Sequence, residues 1–187
     1  MNTESEFEHE AGDAAPEKHA SNGKNAHQQR FQPHQHFKRL GRELAMQFLF
    51  ECDIRDSVTE PNTMEDFWAQ AEESGEFTDA RVFRRAKAYA ETLIANAQAN
   101  DDVITEYLVK FSEKWDVERM SAVDRNIMKV AVAEMLYCPD IPHVVSIDEA
   151  IEIAKDFSDE KSGLFINGIL NGIKNEIEKK PAGGRTE

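Results

Sequence analysis

From Phe37 onward the chain repeats apolar residues at three- and four-residue spacing, run after run, and breaks the pattern only at residues that cap or stop helices. Side chains three and four positions apart share one face of an α-helix, whereas a half-buried strand alternates every second residue, so this periodicity points to helices. Leu40, Leu44, Ala45, Phe48, Leu49 and Cys52 form the first stripe and predict a helix from Phe37 to about Ile54. Pro61 and Asn62 precede a short second stripe of Met64, Phe67, Trp68 and Ala71. Thr78 is placed as the N-cap of a longer third one through Val82, Phe83, Ala86, Ala90, Leu93, Ile94 and Ala97. Asn100, Asp101 and Asp102 open a fourth, with Val103, Ile104, Tyr107, Leu108 and Phe111 as its apolar side.

Ser121 with Asp124 resembles a capping box, the shorter Asp standing where Glu is usual, and Ile127, Met128, Val130, Ala131, Met135 and Leu136 then make a strongly apolar fifth helix. Pro139 and Pro142 end it, since neither supplies a backbone N–H. Ser146 and Glu149 form a second expected capping box, for a helix through Ala150, Ile151, Ala154 and Phe157. After an Asp-Glu-Lys-Ser-Gly interruption a last helix carries Leu164, Phe165, Ile166, Ile169, Leu170, Ile173 and Ile177. The stretch Val144 to Ile147 reads as a helix entry rather than a strand. The expected fold class is therefore all-α, a compact bundle of about seven helices.

Residues 1–36 lack this periodicity. They are rich in Gln, Asn, His, Ala and Glu with few large aliphatics, a composition that cannot offset ordering entropy by burial, so a disordered N-terminal extension is expected there. His9, His19, His27, His34 and His36 lie in this part without repeating any metal-site spacing, and a solvated tail fits them better than a metal site. The formal net charge of -14 is unevenly spread: residues 1–17 hold six acids and no Lys or Arg, and residues 18–42 hold six bases and no acid. The remainder alone thus accounts for the whole excess. A strongly acidic sum argues against phosphate binding, but the basic segment sits where the first helix begins.

Other classes find little support. No run reaches the roughly 18 apolar residues of a membrane span, and the acidic start does not resemble a secretory signal, so a cytoplasmic protein is expected. Cys52 and Cys138 have no Cys-x-x-Cys spacing and are expected as reduced thiols. Without a Gly-rich phosphate loop, a His-x-x-x-His pair or a nucleophile elbow, neither an enzyme nor a cofactor or metal site is expected.

The run ERMSAVDRNIMKVA from Glu118, followed by EML from Glu134, PDIP from Pro139, IDEAIEIAK from Ile147 and FINGIL from Phe165, resembles the C-terminal half of NusB proteins. RLGRELAMQFLF from Arg39 is similar to the basic opening of the same family's first helix. The resemblance covers about residues 37–180 and is thinnest between 55 and 117. It divides the chain into a tail (1–36, acidic then basic), a NusB-like RNA-binding domain (37–180) and a flexible C-terminus (181–187).

The resemblance implies a seven-helix fold without catalysis. It also implies binding of the single-stranded boxA element of nascent rRNA transcripts, together with the ribosomal protein NusE, within the transcription elongation complex. Lys38, Arg39 and Arg42 match the family's basic RNA-contacting helix start. Arg39 and Arg42 are three apart on one helix face with Lys38 beside them, a strip suited to phosphates, and cations at a helix N-terminus oppose its dipole. Ordinary solvated charges would also fit these positions. Phe37 fits both a base platform and a hydrophobic staple.

At the start of the last helix the family commonly has Asp-Ser-x-Lys-Phe-Val-Asn-Gly, whereas this chain has KSGLFING from Lys161, so an acid has become Lys161 and the usual Lys has become Leu164. Lys161, Ser162 and Phe165 are the expected RNA-contacting positions there, with Ser162 equally suited to an N-cap and Phe165 to the core. Phe50 and Asp124 match the family's partner-binding surface, with core and capping as their structural alternatives. Two other readings stay open: a helical protein-interaction adaptor without RNA contact, and a stand-alone relative of the NusB-like domain of rRNA cytosine methyltransferases.

Overall fold

The computed structural model describes residues 37–55, 63–75, 77–112 and 120–179. The tail 1–36, with its histidines, and the C-terminal 181–187 lie outside the described residues, and so does what the sequence predicts for them. Among the described residues there are seven helices and no strand: α1 (Phe37–Arg55), α2 (Thr63–Glu73), α3 (Ala80–Ala99), α4 (Asp101–Phe111), α5 (Ala122–Tyr137), α6 (His143–Phe157) and α7 (Ser162–Lys179).

Most of each stripe read from sequence becomes a packing face, but Val103 of α4 and Leu164 of α7 are 42% and 81% exposed, turned outward from their helices' buried sides. α5 is the central helix, touching α1, α3, α4, α6 and α7, and Ile127, Met128, Val130, Val132 and Ala133 are buried around nearly its whole circumference. An element apolar on all sides has to be surrounded, whereas the single-striped α3 and α7 bury one face each. Leu44 of α1, Leu93 and Ile94 of α3, Ile104 of α4 and Ile166, Leu170 and Ile173 of α7 complete the core, each side chain stabilising the fold by about 1.5–3 kcal/mol through burial. α2 joins this core through the buried Trp68 and through Phe67, whose ring meets Phe48 edge-to-face at 5.4 Å.

α1 and α3 form the most extensive helix pair, and Gly41 is what lets them approach. A Cβ at Gly41 would stand 2.9 Å from the Ala86 carbonyl oxygen and 2.9 Å from the Tyr89 ring.

Two expected caps are placed differently, and a third forms in part. The N-cap of α3 is Asp79, not Thr78: its carboxylate accepts from the backbone N–H groups of Arg81 and Val82. α6 begins one turn before the expected capping box, with Pro142 as its N-cap, so Ser146 sits inside the helix, buried, and donates its hydroxyl to Glu134 Oε2 at 2.5 Å. Helix entry there is set by the fixed φ of proline, and the serine is free to serve a tertiary bond. At α5 half of the capping box forms: Ser121 Oγ accepts from the Asp124 backbone N–H at 3.0 Å, while the Asp124 carboxylate turns inward to other partners.

Candidate nucleic-acid interface

The first turn of α1 contains no acid, and the first six residues of the helix carry Phe37, Lys38, Arg39 and Arg42. Packing α1 against α3, α5 and α6 brings acids to them from elsewhere in the chain. Arg42 is 4% exposed, although it was expected as a phosphate contact. Its Nε donates to both oxygens of Glu134, at 2.9 and 3.1 Å, and its NH1 lies 3.3 Å from Glu149 Oε2. Glu134, at 0% exposure, also accepts the hydroxyls of Tyr89 and Ser146. A buried carboxylate supplied with a guanidinium and two hydroxyls joins α1, α3, α5 and α6 at one point. Burial, reinforced by the bond to Glu134, holds the Tyr89 phenol well above its ordinary range.

Arg39 lies beside this centre. Its Nε donates to Glu43 at 2.6 Å, its NH2 to Asp156 at 3.0 Å, and its NH1 lies 3.7 Å from Glu149. Burial pushes the Glu43 carboxyl upward, an effect opposed by its bond to Arg39. Glu149 Oε2 is buried without a hydrogen bond of its own, yet it faces both arginines at ion-pair distance. Arg39 and Arg42 are thus gathered with Glu43, Glu134, Glu149 and Asp156, two bases against four acids. Such a cluster fastens helices together more readily than it attracts a polyanion. Lys38 is half-buried, with Nζ 5.5 Å from the centre of the Tyr89 ring.

At the other expected positions the structure separates surface from interior. Lys161 is exposed. Ser162 is only 7% exposed and is the first residue of α7 rather than its cap; its hydroxyl donates to Asp124 Oδ2 at 3.0 Å. Ser158 donates to the other oxygen, Oδ1, at 2.6 Å. Asp124, expected at the partner surface, and Ser162, expected at RNA, therefore belong to one hydrogen-bonded junction of α5, α6 and α7. Phe165 and Phe50 are half-buried against the core, and Leu164 is 81% exposed.

The sequence reading gave no site role to Glu134 or Tyr89, took Ser146 only as a cap, and passed over Arg81, Arg84 and Arg85 on α3. The signal for the arginines was present: they recur at helical spacing in a helix start that has no acid in its first turn. All three are exposed, and the Arg85 guanidinium lies 3.8 Å above the centre of the Phe37 ring. Among the described residues no group of His, Cys, Asp and Glu is arranged to hold a metal ion, and no helix is long and apolar enough to cross a membrane.

Comparison with known proteins gives the same region a family. The NusB family model matches residues 39–175. The transcription antitermination protein NusB of Bacillus thuringiensis (strain Al Hakam) is 41% identical over 140 residues, covering 75% of this chain and 98% of that protein. Among solved structures, T. maritima NusB is similar at 32% identity with a TM-score of 0.61, covering 74% of this chain and 91% of that one. A crystal structure of the antitermination factors NusB and NusE in complex with double-stranded RNA matches at 24% identity and a TM-score of 0.60, covering 75% of this chain and 97% of that one, which shows the shared fold.

Proposed function

The chain belongs to the NusB family, and from that premise we propose that it is a transcription antitermination factor that binds boxA-type single-stranded RNA in nascent rRNA transcripts together with NusE. It acts in the cytoplasm, within the transcription elongation complex, by binding and without catalysis. The family match over residues 39–175 carries this reading, because it spans α1, the central α5 and the α6–α7 corner together. The acidic surplus of the chain favours approach of a basic ribosomal protein through long-range steering.

The geometry supports a division of labour among the residues. Lys38 and Lys161 are the phosphate-binding cations, Arg39 is a secondary one held by three acids, and the half-buried Phe165 offers a ring edge to a base. Arg42 and Ser162 act through position: one fixes α1 onto α5 and α6, the other fixes the start of α7 onto Asp124. Phe50 contributes apolar surface to the NusE contact, and Asp124 holds the junction of α5, α6 and α7.

Binding of a boxA-like RNA, measured with and without NusE over a salt series, tests this. Lys38→Ala combined with Lys161→Ala is expected to lower the slope of log K against log salt by roughly 1.4, about 0.7 for each lost phosphate contact on a single strand. A wild-type protein that binds NusE but no RNA, alone or in the pair, would establish the protein-interaction adaptor instead.

A further inference from the structure

α3 turns a crest of three arginines to solvent. Arg81, Arg84 and Arg85 follow one another at i, i+3 and i+4, all are exposed, and among the described residues none forms an ion pair with an acid. This contrasts with the start of α1, where four carboxylates occupy Arg39 and Arg42. Of the nearby acids, Asp79 caps the helix backbone, and Glu72 of α2 pairs with Lys87 at 3.2 Å. Three cations near a helix N-terminus also oppose the helix dipole, a placement that helix stability alone does not favour.

Aromatic rings flank the crest on both sides. On the α1 side, Arg85 lies over Phe37, whose ring meets Tyr89 edge-to-face at 6.3 Å, and Lys38 stands over the same tyrosine. On the α2 side, Arg84 borders an open cleft of about 500 Å³ lined by Phe77, which stacks on the largely buried Phe83 with ring centres 4.7 Å apart, and by Ala80, Lys87 and Glu72. Cations interleaved with ring and guanidinium planes suit a single nucleic-acid strand, because phosphates take the charges and unstacked bases rest on the planes.

We propose that Arg81, Arg84 and Arg85 form a second track for single-stranded RNA, running from Phe37 and Lys38 across α3 to the Phe77 cleft and holding the sequence that flanks the element bound at α1. The inference rests on the RNA-binding reading above and extends it to a surface whose charges have no acid partner among the described residues. Selectivity on this track is low, since the three guanidiniums read phosphates and every base has a stackable face.

The experiment compares wild type with the triple variants Arg81→Ala/Arg84→Ala/Arg85→Ala and Arg81→Gln/Arg84→Gln/Arg85→Gln. Two RNAs are used, a boxA-like core alone and the same core with a dozen nucleotides of single-stranded flank on each side, each over a salt series. All three side chains are exposed and both replacements are good helix formers, so circular dichroism should match wild type for at least one variant. On the flanked RNA the salt slope should fall by about 2, roughly 0.7 for each of three phosphates, and affinity should drop at least tenfold toward that of the core. Binding of the core alone should be unchanged. Wild-type affinity and slope on the flanked RNA in either folded variant would overturn the track while leaving the RNA-binding reading intact. Equal losses on both RNAs would also overturn it, because the crest would then belong to the core contact. If wild type binds neither RNA, the RNA-binding reading fails, and this inference with it.

Discussion

Replacing Arg42 with Ala strands a carboxylate in the middle of the bundle. Glu134 is fully buried, and its one close cationic partner among the described residues is Arg42, bound through Nε at 2.9 and 3.1 Å. Without the guanidinium it keeps two hydroxyl donors, Tyr89 and Ser146, and Glu149 keeps Arg39 at 3.7 Å. Removing one member of a buried ion pair costs about 3–5 kcal/mol, chiefly the penalty of the uncompensated charge. For a domain of this size that is a fall in Tm of roughly 10 °C. Urea denaturation followed by helical circular dichroism should show a lower midpoint at unchanged m. Adding Glu134→Gln to Arg42→Ala should recover part of the loss, since the stranded charge is then gone. The reasoning fails if Arg42→Ala loses less than about 1 kcal/mol, the level of an exposed pair, while boxA-like RNA affinity collapses. Arg42 would then be a surface RNA contact and the buried centre would not exist in solution.

Gly41→Ala should destabilise the fold by about 1–3 kcal/mol, because the added methyl would stand 2.9 Å from the Ala86 carbonyl oxygen and force α1 away from α3; a chemical-denaturation midpoint equal to wild type would refute the close approach. Tyr89 carries a raised phenol pKa, so the folded protein keeps its proton where the unfolded chain, with the ordinary value of 10.0, releases it. That contribution is complete below about pH 10 and is lost as pH rises toward the folded value, at up to about 1.4 kcal/mol per pH unit. Stability measured from pH 9 to 11 should fall less steeply in Tyr89→Phe than in wild type. Leu164→Lys replaces a side chain that is 81% exposed, so stability should move by no more than about 0.5 kcal/mol. RNA affinity should rise, with the salt slope steeper by about 0.7, which a fluorescence titration over salt would check.

The helices were legible because their signal is local. The stripe from Leu40 to Cys52 and the nearly all-round apolar surface of the α5 segment each specify an element and the face it buries from a dozen consecutive residues. The predicted all-α bundle accordingly matches the seven helices among the described residues, and the first helix, read to about Ile54, ends at Arg55. Cap assignments fared less well at Thr78 and Ser146. Several polar residues near a helix start can cap it, and the choice among Thr78, Asp79, Pro142 and Ser146 depends on where the preceding chain enters.

What sequence by itself determined was thus which segments are helical, which sides face inward and, through the resemblance, which family they belong to. Only the tertiary structure decided what the charged residues do. Arg39 and Arg42 stand in a basic strip with Lys38, yet Glu134 lies 92 residues from Arg42 and Asp156 lies 117 from Arg39, and packing alone brings them together. Asp124 and Ser162, 38 residues apart, meet for the same reason. The physical cause is the range of the forces: apolar burial is written in local periodicity, whereas the fate of a charge depends on which carboxylate or guanidinium the folded chain sets within a few ångströms of it. By that criterion Arg39 and Arg42 of α1 are spent largely on the fold, whereas Arg81, Arg84 and Arg85 of α3 have no acid partner among the described residues.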